Sequence, residues 1–410
     1  MSGDVPDLLE AATRYEAWVD GQIPTVPSAR AEKHALMAAD PFAFLRGSYF
    51  RWVQRVTVRA PQPPGPPVLA VGDLHVENFG TWRDAEGRMV WGINDLDEAD
   101  RLPAGYDLLR LATSALLAQQ HAGARLAGPD VVGAVVDGYA RALAAGGEPL
   151  VLDRPDPAPL GPLLPAGHAG RWWARLLDHP ILDPAGVDPD AVRLLEAALD
   201  GAARPVTLRS RPAGMGSRDH LRIVAIGLLA GAPAVREVKA HTPPATWWLN
   251  GPTAVDGADS PDGGDAARTL LRTAPRSPDA SLRIGAGWVL RRLAPWADRI
   301  ELVDLHKRAE AATLLQAMGA ETANLHLASA TPAELGSLTD RAARRWLAKA
   351  AERMLVDTTT DWQVWRRRHP AGTAAPPKRT APPSPTPQTP AAEPAPNRSA
   401  PKSTRPMGAT

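Results

Sequence analysis

The chain has 410 residues, 44% of them apolar, and a formal net charge of +1. That length exceeds an ordinary single domain, so two lobes are expected, and a charge so near zero gives no bulk case for nucleic acid or an anionic membrane as partner. There is no cysteine, which excludes disulfides, Cys-based zinc sites and a Cys nucleophile.

The N-terminal stretch MSGDVPDLLE is acidic and has no basic region before an apolar run, so it does not read as a secretory signal. Residues 1–67 read as a helical segment that packs on the lobe C-terminal to it. It contains PFAFLRG (41–47) and ends in the stiff break APQPPGPP (60–67). VLAVGD (68–73) is an apolar strand closing in a Gly-Asp turn, and MVWGIND (89–95), with GRMV as the return, is a second. YDLLRLATSALLA (106–118) places Leu108, Leu111, Ala112 and Ala115 on one face, the spacing of a buried helix. In VDPDAVRLLEAAL (187–199), Asp188 can cap a helix and Pro189 fits its first turn. RIVAIGLL (222–229) and AVREVKAH (234–241) read as two strands joined by a Gly-Ala-Pro turn. The most apolar run, IVAIGLLAGAPAV (223–235), is too short to span a bilayer and contains Pro and Gly; no membrane and a cytoplasmic location are expected. VDGADSPDGGD (255–265) reads as an exposed loop. Residues 301–328 form a long helical region striped by Ala311, Leu315, Met318, Thr322 and Leu325, and 331–355 is helical too. From 371 to 410 the chain is Pro, Ala, Thr and Ser with scattered Lys and Arg. It has too little to bury to offset the entropy of ordering, so a disordered tail is expected. The fold class is α+β.

The chemistry gathers in GDLHVENFG (72–80) and INDLDEAD (93–100). Asp73 stands at the end of one strand, with Asn78 five residues on in the same short loop. Asp95 emerges at the end of the next strand. Two adjacent strand ends would then present Asp73, Asn78 and Asp95 together. Hard oxygen donors suit Mg²⁺, which takes one or two carboxylates and leaves room for water and phosphate oxygens. Singly, Asp and Asn populate turns for local hydrogen-bonding reasons; the combination carries the argument.

GDLHVENFG followed by INDLDEAD resembles the catalytic and metal loops of aminoglycoside phosphotransferases and related kinase-like enzymes, and GYDLLRLA (105–112) is similar to their next helix start. PFAFLRG, GDLHVENFG, NDLDEA and VLRRLAPWADRIEL together resemble the domain of unknown function 2252 family over most of residues 30–330. The kinase-like resemblance implies a two-lobed fold in which Asp73 is the catalytic base. Asn78 and Asp95 would hold Mg²⁺ on the phosphates of ATP. Asp97 is an open alternative to Asp95 as ligand. Asp107 would brace the catalytic loop, and His75 would be structural. Arg46 of the FLRG signature would reach a phosphate or a substrate carboxylate, or brace the loop from inside.

A kinase-like enzyme also needs a glycine loop over the phosphates and a lysine on a nearby strand. Neither stands in residues 1–70. Both are found later, as Gly214, Gly216 and Ser217 in SRPAGMGSRDH (210–220) and as Lys239 in AVREVKAH. Arg218 and Arg222 add charge there or face water. WVLRRLAP (288–295) resembles the strand leading to a hinge, and ANLHLA (323–328) the helix end before a catalytic loop. The motif order is therefore a circular permutation of the kinase-like one. The expected organisation is a segment 1–67, a catalytic and metal-binding lobe 68–200, a nucleotide-binding β-rich lobe 205–300, completing helices 301–370 and the tail 371–410. One departure stands out. DAARTLLRTA (265–274), where the lysine's helix Glu is expected, offers only Asp265. The expectation is an ATP- and Mg²⁺-dependent phosphotransferase acting on a hydroxyl of a small molecule or protein. Nucleotidyl transfer, a metal-dependent phosphoesterase and an inactive nucleotide-binding or scaffold protein stay open. The Trp pairs of RWWARLL (171–177) and ATWWLNG (245–251) read as packing residues, and ARRWLAKAAERM (343–354) as a solvated basic helix face. No Gly-x-Ser-x-Gly, His-Glu-x-x-His or Gly-Lys-Ser/Thr motif supports a hydrolase, zincin or P-loop.

Overall fold

Four helices open the computed structural model, which describes residues 5–122, 125–153, 160–164, 169–253 and 262–370. They are α1 (Leu8–Asp20), α2 (Pro27–Met37), α3 (Pro41–Gly47) and α4 (Tyr49–Arg59). Asp7 and Asp40 start α1 and α3 by accepting first-turn amides, and Pro27 and Pro41 occupy positions whose missing N–H costs nothing. Short strands follow: β1 (Pro67–Ala70), β2 (Phe79–Arg83), β3 (Met89–Ile93) and β4 (Asp100–Pro103). Helices α5 (Ala104–Ala118), α6 (Gly128–Ala145) and α7 (Ala169–Leu177) lead to β5 (Ile181–Leu182), α8 (Pro189–Ala198), β6 (Ala203–Ser210), β7 (Arg222–Leu229) and β8 (Ala232–Ala240). Next come α9 (Ala245–Asn250), α10 (Asp265–Thr273), β9 (Arg283–Gly285) and β10 (Trp288–Leu293), then α11 (Arg308–His326), α12 (Pro332–Leu335) and α13 (Arg341–Arg368). The fold is a mixture of α and β, and all described residues fall within one compact unit, Met1–Thr373. No helix among them is long and apolar enough to cross a membrane.

Strands β5-β6-β7-β8-β10-β9 form one antiparallel sheet in that order. β7 and β8 meet through Ala230 and Gly231, both at positive φ, as a tight two-residue hairpin demands. The turn thus precedes Pro233, which lies in the return strand instead of making the turn. Alternation along the strands sorts the side chains. Ile223, Ala225, Val238, Ala240 and Trp288 pack with Ala191, Leu195 and Leu199, from α8 and the residue after it. Asp188 caps α8 as expected. On the other face Val224 and Val235 meet Leu176, Trp172 and Trp173 of α7. Farther along, that second face turns charged, with Glu237 opposite Val224 and Arg291, and Lys239 opposite Arg222.

The main core lies among α5, α6, α11 and α13. The stripe Ala311, Leu315, Met318, Thr322 and Leu325 is fully buried. The helix starts at Arg308, because 302–304 forms a separate 3₁₀ turn. α13 runs past 355 to Arg368, and its Asp357 and Asp361 explain the extension. Arg51, Arg55 and Arg59, one helical turn apart on α4, pair with them at 2.9, 2.5 and 2.7 Å.

Two expectations change. β1 pairs with β4 and β3 with β2, so the ends of β1 and β3 belong to separate two-stranded sheets and are not adjacent strands. The return strand is Phe79–Arg83, with Asp84 and Arg88 closing the turn that GRMV was expected to extend. The expected loop around 255–265 lies mostly outside the described residues, and so does the tail 371–410.

α6 and α11 touch backbone to backbone at Gly138 and Gly319. A methyl group on Gly138 would overlap the carbonyl of Gln316, and one on Gly319 the carbonyl of Val135. Overpacking a tight core costs about 1–3 kcal/mol, occasionally more, and here the obstacle is backbone that cannot rotate away. Gly138→Ala is therefore expected to lower unfolding free energy by at least ~2 kcal/mol, measured by urea denaturation against the parent chain.

Candidate functional site

The site is built on the turn after β1. Gly72 has φ +81°, and a side chain there would overlap the carbonyl of Glu98, so only glycine fits. Asp107 at the start of α5 holds this turn, accepting from the amides of Val71 at 2.7 Å and Gly72 at 2.9 Å. Behind it His326 Nε2 lies 3.1 Å from the Asp107 carboxylate, and Nδ1 lies 2.9 Å from the Tyr139 hydroxyl. The ring thus bridges the acid and the phenol. This chain of fully buried groups ties the 72–78 loop to α6 and α11.

The turn aims Asp73 into a cleft. Its Oδ1 accepts from Arg110 Nε at 2.7 Å and also from Nη2. Arg110 is fully buried. It donates to the Leu45 carbonyl at 2.9 Å and lies 4.9 Å from the ring centres of Tyr49 and Trp52. Burial pushes the Asp73 carboxyl up to about 6 against the opposing pull of Arg110. Asn78 donates from Nδ2 to the Asp73 carbonyl at 2.9 Å and accepts the amide of Asn94 on its own carbonyl at 3.0 Å. That second bond fastens the 72–78 loop to the 94–100 loop.

The acids of the 94–100 loop reach toward the sheet. Lys239 of β8 pairs with Asp97 and stands 3.7 Å from Asp95. Burial alone would raise the Asp97 carboxyl, but Lys239 and His241 outweigh it and hold it well below the usual range. Burial and the Asp97 charge raise Asp95. Glu98 accepts the amide of Ala245 at 2.6 Å. Burial, with smaller contributions from Asp73 and Asp97, pushes it up to about 8. Asp100 accepts from the hydroxyls of Thr246 and Thr253.

The 211–221 connection between β6 and β7 closes the cleft. Gly216 lies against it: a Cβ there would stand 3.8 Å from Asp73 Oδ2 and 3.2 Å from the Arg46 carbonyl. Gly214 has φ +77°. Ser217 Oγ accepts from Arg222 at 3.2 Å. α2 pins this connection, through Lys33 to the Gly216 carbonyl at 2.5 Å, Lys33 and Arg30 to Asp219, and Glu32 to Arg218. Arg46 pairs with Glu77 at 2.7 Å.

The cleft has a volume of about 220 Å³. Arg46, Asp73, Asn78, Asp95, Gly214, Gly216 and Ser217 all line it, and Lys239 stands behind Asp95 and Asp97. His75 is on the wall too, accepting the Glu77 amide at 3.2 Å. The lysine's acidic partner comes from the 94–100 loop; Asp265 pairs instead with Arg268 within α10. No group of three His, Asp or Glu among the described residues could hold a metal. One carboxylate and one amide at the cleft wall fit a cation that keeps water and phosphate oxygens, as Mg²⁺ does.

Sequence reasoning passed over Arg110, Lys33, Arg211 and Arg291; it left Glu98 as an ambiguous acid beside Asp97 and Arg222 as a charge that either serves the loop or faces water. For Arg110 a signal existed. An arginine three residues after Asp107, on an otherwise apolar helix, demands a buried acid. The others converge only through the fold.

A family model described as "Uncharacterized protein conserved in bacteria (DUF2252)" matches residues 25–154. This supports the resemblance to that family across Arg46, Asp73, Asn78, Asp95 and Arg110; Gly214, Gly216, Ser217 and Lys239 lie outside the matched span. No curated protein and no solved structure matches the chain.

Glu98 has a pH consequence. A carboxyl raised by folding stabilises most below its unfolded pKa, and that contribution is lost as pH rises through the folded one. Glu98→Gln should therefore match the parent in thermal stability near pH 4 and exceed it increasingly as pH rises from 4.5 to about 8. Parallel melting profiles across that window would show that Glu98 titrates normally.

Proposed function

We propose that the chain is an ATP- and Mg²⁺-dependent phosphotransferase of kinase-like architecture, circularly permuted, acting on a hydroxyl group. One observation carries this reading. The Gly214–Gly216 connection lies over Asp73, while Lys239 meets Asp95 and Asp97, although more than 110 residues separate the two sets. Support for the permuted order comes from the sheet. A glycine-containing connection joins two neighbouring strands, the lysine follows on the next strand, and two helices and two strands complete the set. A kinase-like site uses the same parts.

In this reading Asp73 orients the acceptor hydroxyl and takes its proton. A carboxyl near 6 is mostly ionised at neutral pH yet basic enough to serve. The acceptor oxygen bonds to the terminal phosphorus as the bond to the bridging oxygen breaks. Arg110 is a positioning residue that fixes the Asp73 rotamer. Asn78 and Asp95 would hold Mg²⁺, which when bound would neutralise charge on the phosphate oxygens. Lys239, behind Asp95 and Asp97, sets the spacing between these acids and the sheet, and Gly214, Gly216 and Ser217 bring backbone close to the phosphates. Catalysis then rests on positioning and charge neutralisation.

The engagement of Lys239 by Asp97, with no helix acid taking that place, favours a second reading: a nucleotide-binding protein without turnover. Thermal shift with ATP and Mg²⁺ but no ADP release would select it, and release of pyrophosphate in place of ADP would select nucleotidyl transfer. For the leading reading, Asp95→Ala should abolish Mg²⁺-dependent ATP turnover while leaving the unfolding midpoint within a few degrees of the parent. Turnover at the parent's rate in that variant would overturn the assignment.

A further inference from the structure

We propose that Arg211, Arg222 and Arg291, gathered on the carboxylate of Glu237, form the anion-binding wall of the cleft and take the phosphate chain of its ligand. The identity of that ligand as a nucleotide rests on the phosphotransferase reading; its polyanionic character rests on the arginines themselves.

Glu237 is fully buried on β8. It accepts from Arg222 Nη1 at 2.8 Å, from Arg291 Nε at 2.8 Å and from Arg211 Nη1 at 2.5 Å. Strand register brings them together. Arg291 is the residue directly opposite on β10. Arg222 stands one diagonal step away on β7, opposite Lys239, within reach of a long side chain. Arg211 follows β6 and donates its amide to the Arg222 carbonyl at 3.2 Å. One carboxylate faces three guanidiniums, so two positive charges are left without a partner in the cluster. Arg222 is 3% exposed, and its Nε is buried with no hydrogen-bond partner. Arg211 and Arg291 keep 27% and 29% of their side chains exposed, so this surplus charge faces the cleft opening, where a ligand anion can meet it.

All three arginines line the same cleft as Asp73 and Asp95. Arg222 also donates to Ser217 Oγ and to the Ala213 carbonyl, so the cluster and the glycine-bearing connection form one surface. Lys239 spends its charge on Asp97 and Asp95, whereas the arginine cluster keeps a net positive charge. The cleft therefore has a positive wall from the sheet and an acidic wall from the 94–100 loop. That polarity suits a phosphate chain carrying a cation. Guanidiniums bind phosphate oxygens in a two-pronged geometry, and Glu237 holds these in place before any ligand arrives.

The test uses the full chain, Mg²⁺, and two probes, tripolyphosphate and ATP, in calorimetric titrations. The parent should bind tripolyphosphate, and tripolyphosphate should displace ATP. Arg211→Gln and Arg291→Gln should each weaken tripolyphosphate binding about tenfold or more, the loss of one charge-assisted contact, and reduce its salt dependence. Arg211→Lys and Arg291→Lys keep the charge and the pairing with Glu237. They should lose less than the Gln variants, and they carry the test should a Gln variant fail to fold. Variants that bind tripolyphosphate as the parent does, or a parent that does not bind it, would overturn the proposal. ATP binding that tripolyphosphate cannot displace would overturn it and leave the nucleotide reading standing. Tripolyphosphate bound as tightly as ATP would support the arginine wall and count against a nucleotide as the ligand.

Discussion

The carboxylate of Asp107 connects the helical core to the cleft. Two backbone amides of the turn after β1 end on it, and His326 and Tyr139 hold it from behind. A turn with glycine at positive φ has little conformational preference of its own. These bonds, made where water cannot compete, select one geometry, and Asp73, Asn78 and, through Asn94, the acids beyond inherit it. Tight contact between α6 and α11 serves the same end, because it places Tyr139 and His326 within reach of each other.

Charge organises the other side. Buried ions are stable only in company, and each charged element here finds its partner on a segment distant in sequence: Asp73 on Arg110, Asp97 on Lys239, Glu237 on three arginines, Asp219 on Arg30 and Lys33. The 94–100 loop is the hub. Its Asp97, Glu98 and Asp100 each contact the 239–253 stretch, so ion pairs and hydrogen bonds as well as apolar packing hold sheet and loops in register. An interface of that kind responds to pH, salt and bound anions, which is where a ligand could act on it.

Much of the secondary structure was legible because it follows local rules. The Asp188-Pro189 start of α8, the buried stripe of α11 and the β7–β8 hairpin depend on capping, on a 3.6-residue period and on alternation, all written within a dozen residues. Errors fell where pairing partners decide. β1 and β3 looked like neighbours from their spacing, but each found a different partner strand, and α13 ran on because the arginines of α4 needed acids to face. The acidic loops stood out by residue type and order, whereas Arg110 was hidden in a helix that reads as apolar.

Which groups could do chemistry follows from the order of the residues alone: Asp73, Asn78 and Asp95 near strand ends, glycines where backbone must come close, and a lysine on a strand. Those are properties of residue type and local spacing, and they survive whatever the chain does next. Which of these groups meet emerges with the packed fold: Lys239 answers to Asp97 and not to a helix acid, and three arginines from separate segments share one buried carboxylate. Such pairings depend on strand register and on the cost of leaving a buried charge alone, and both are settled only when distant segments pack against each other.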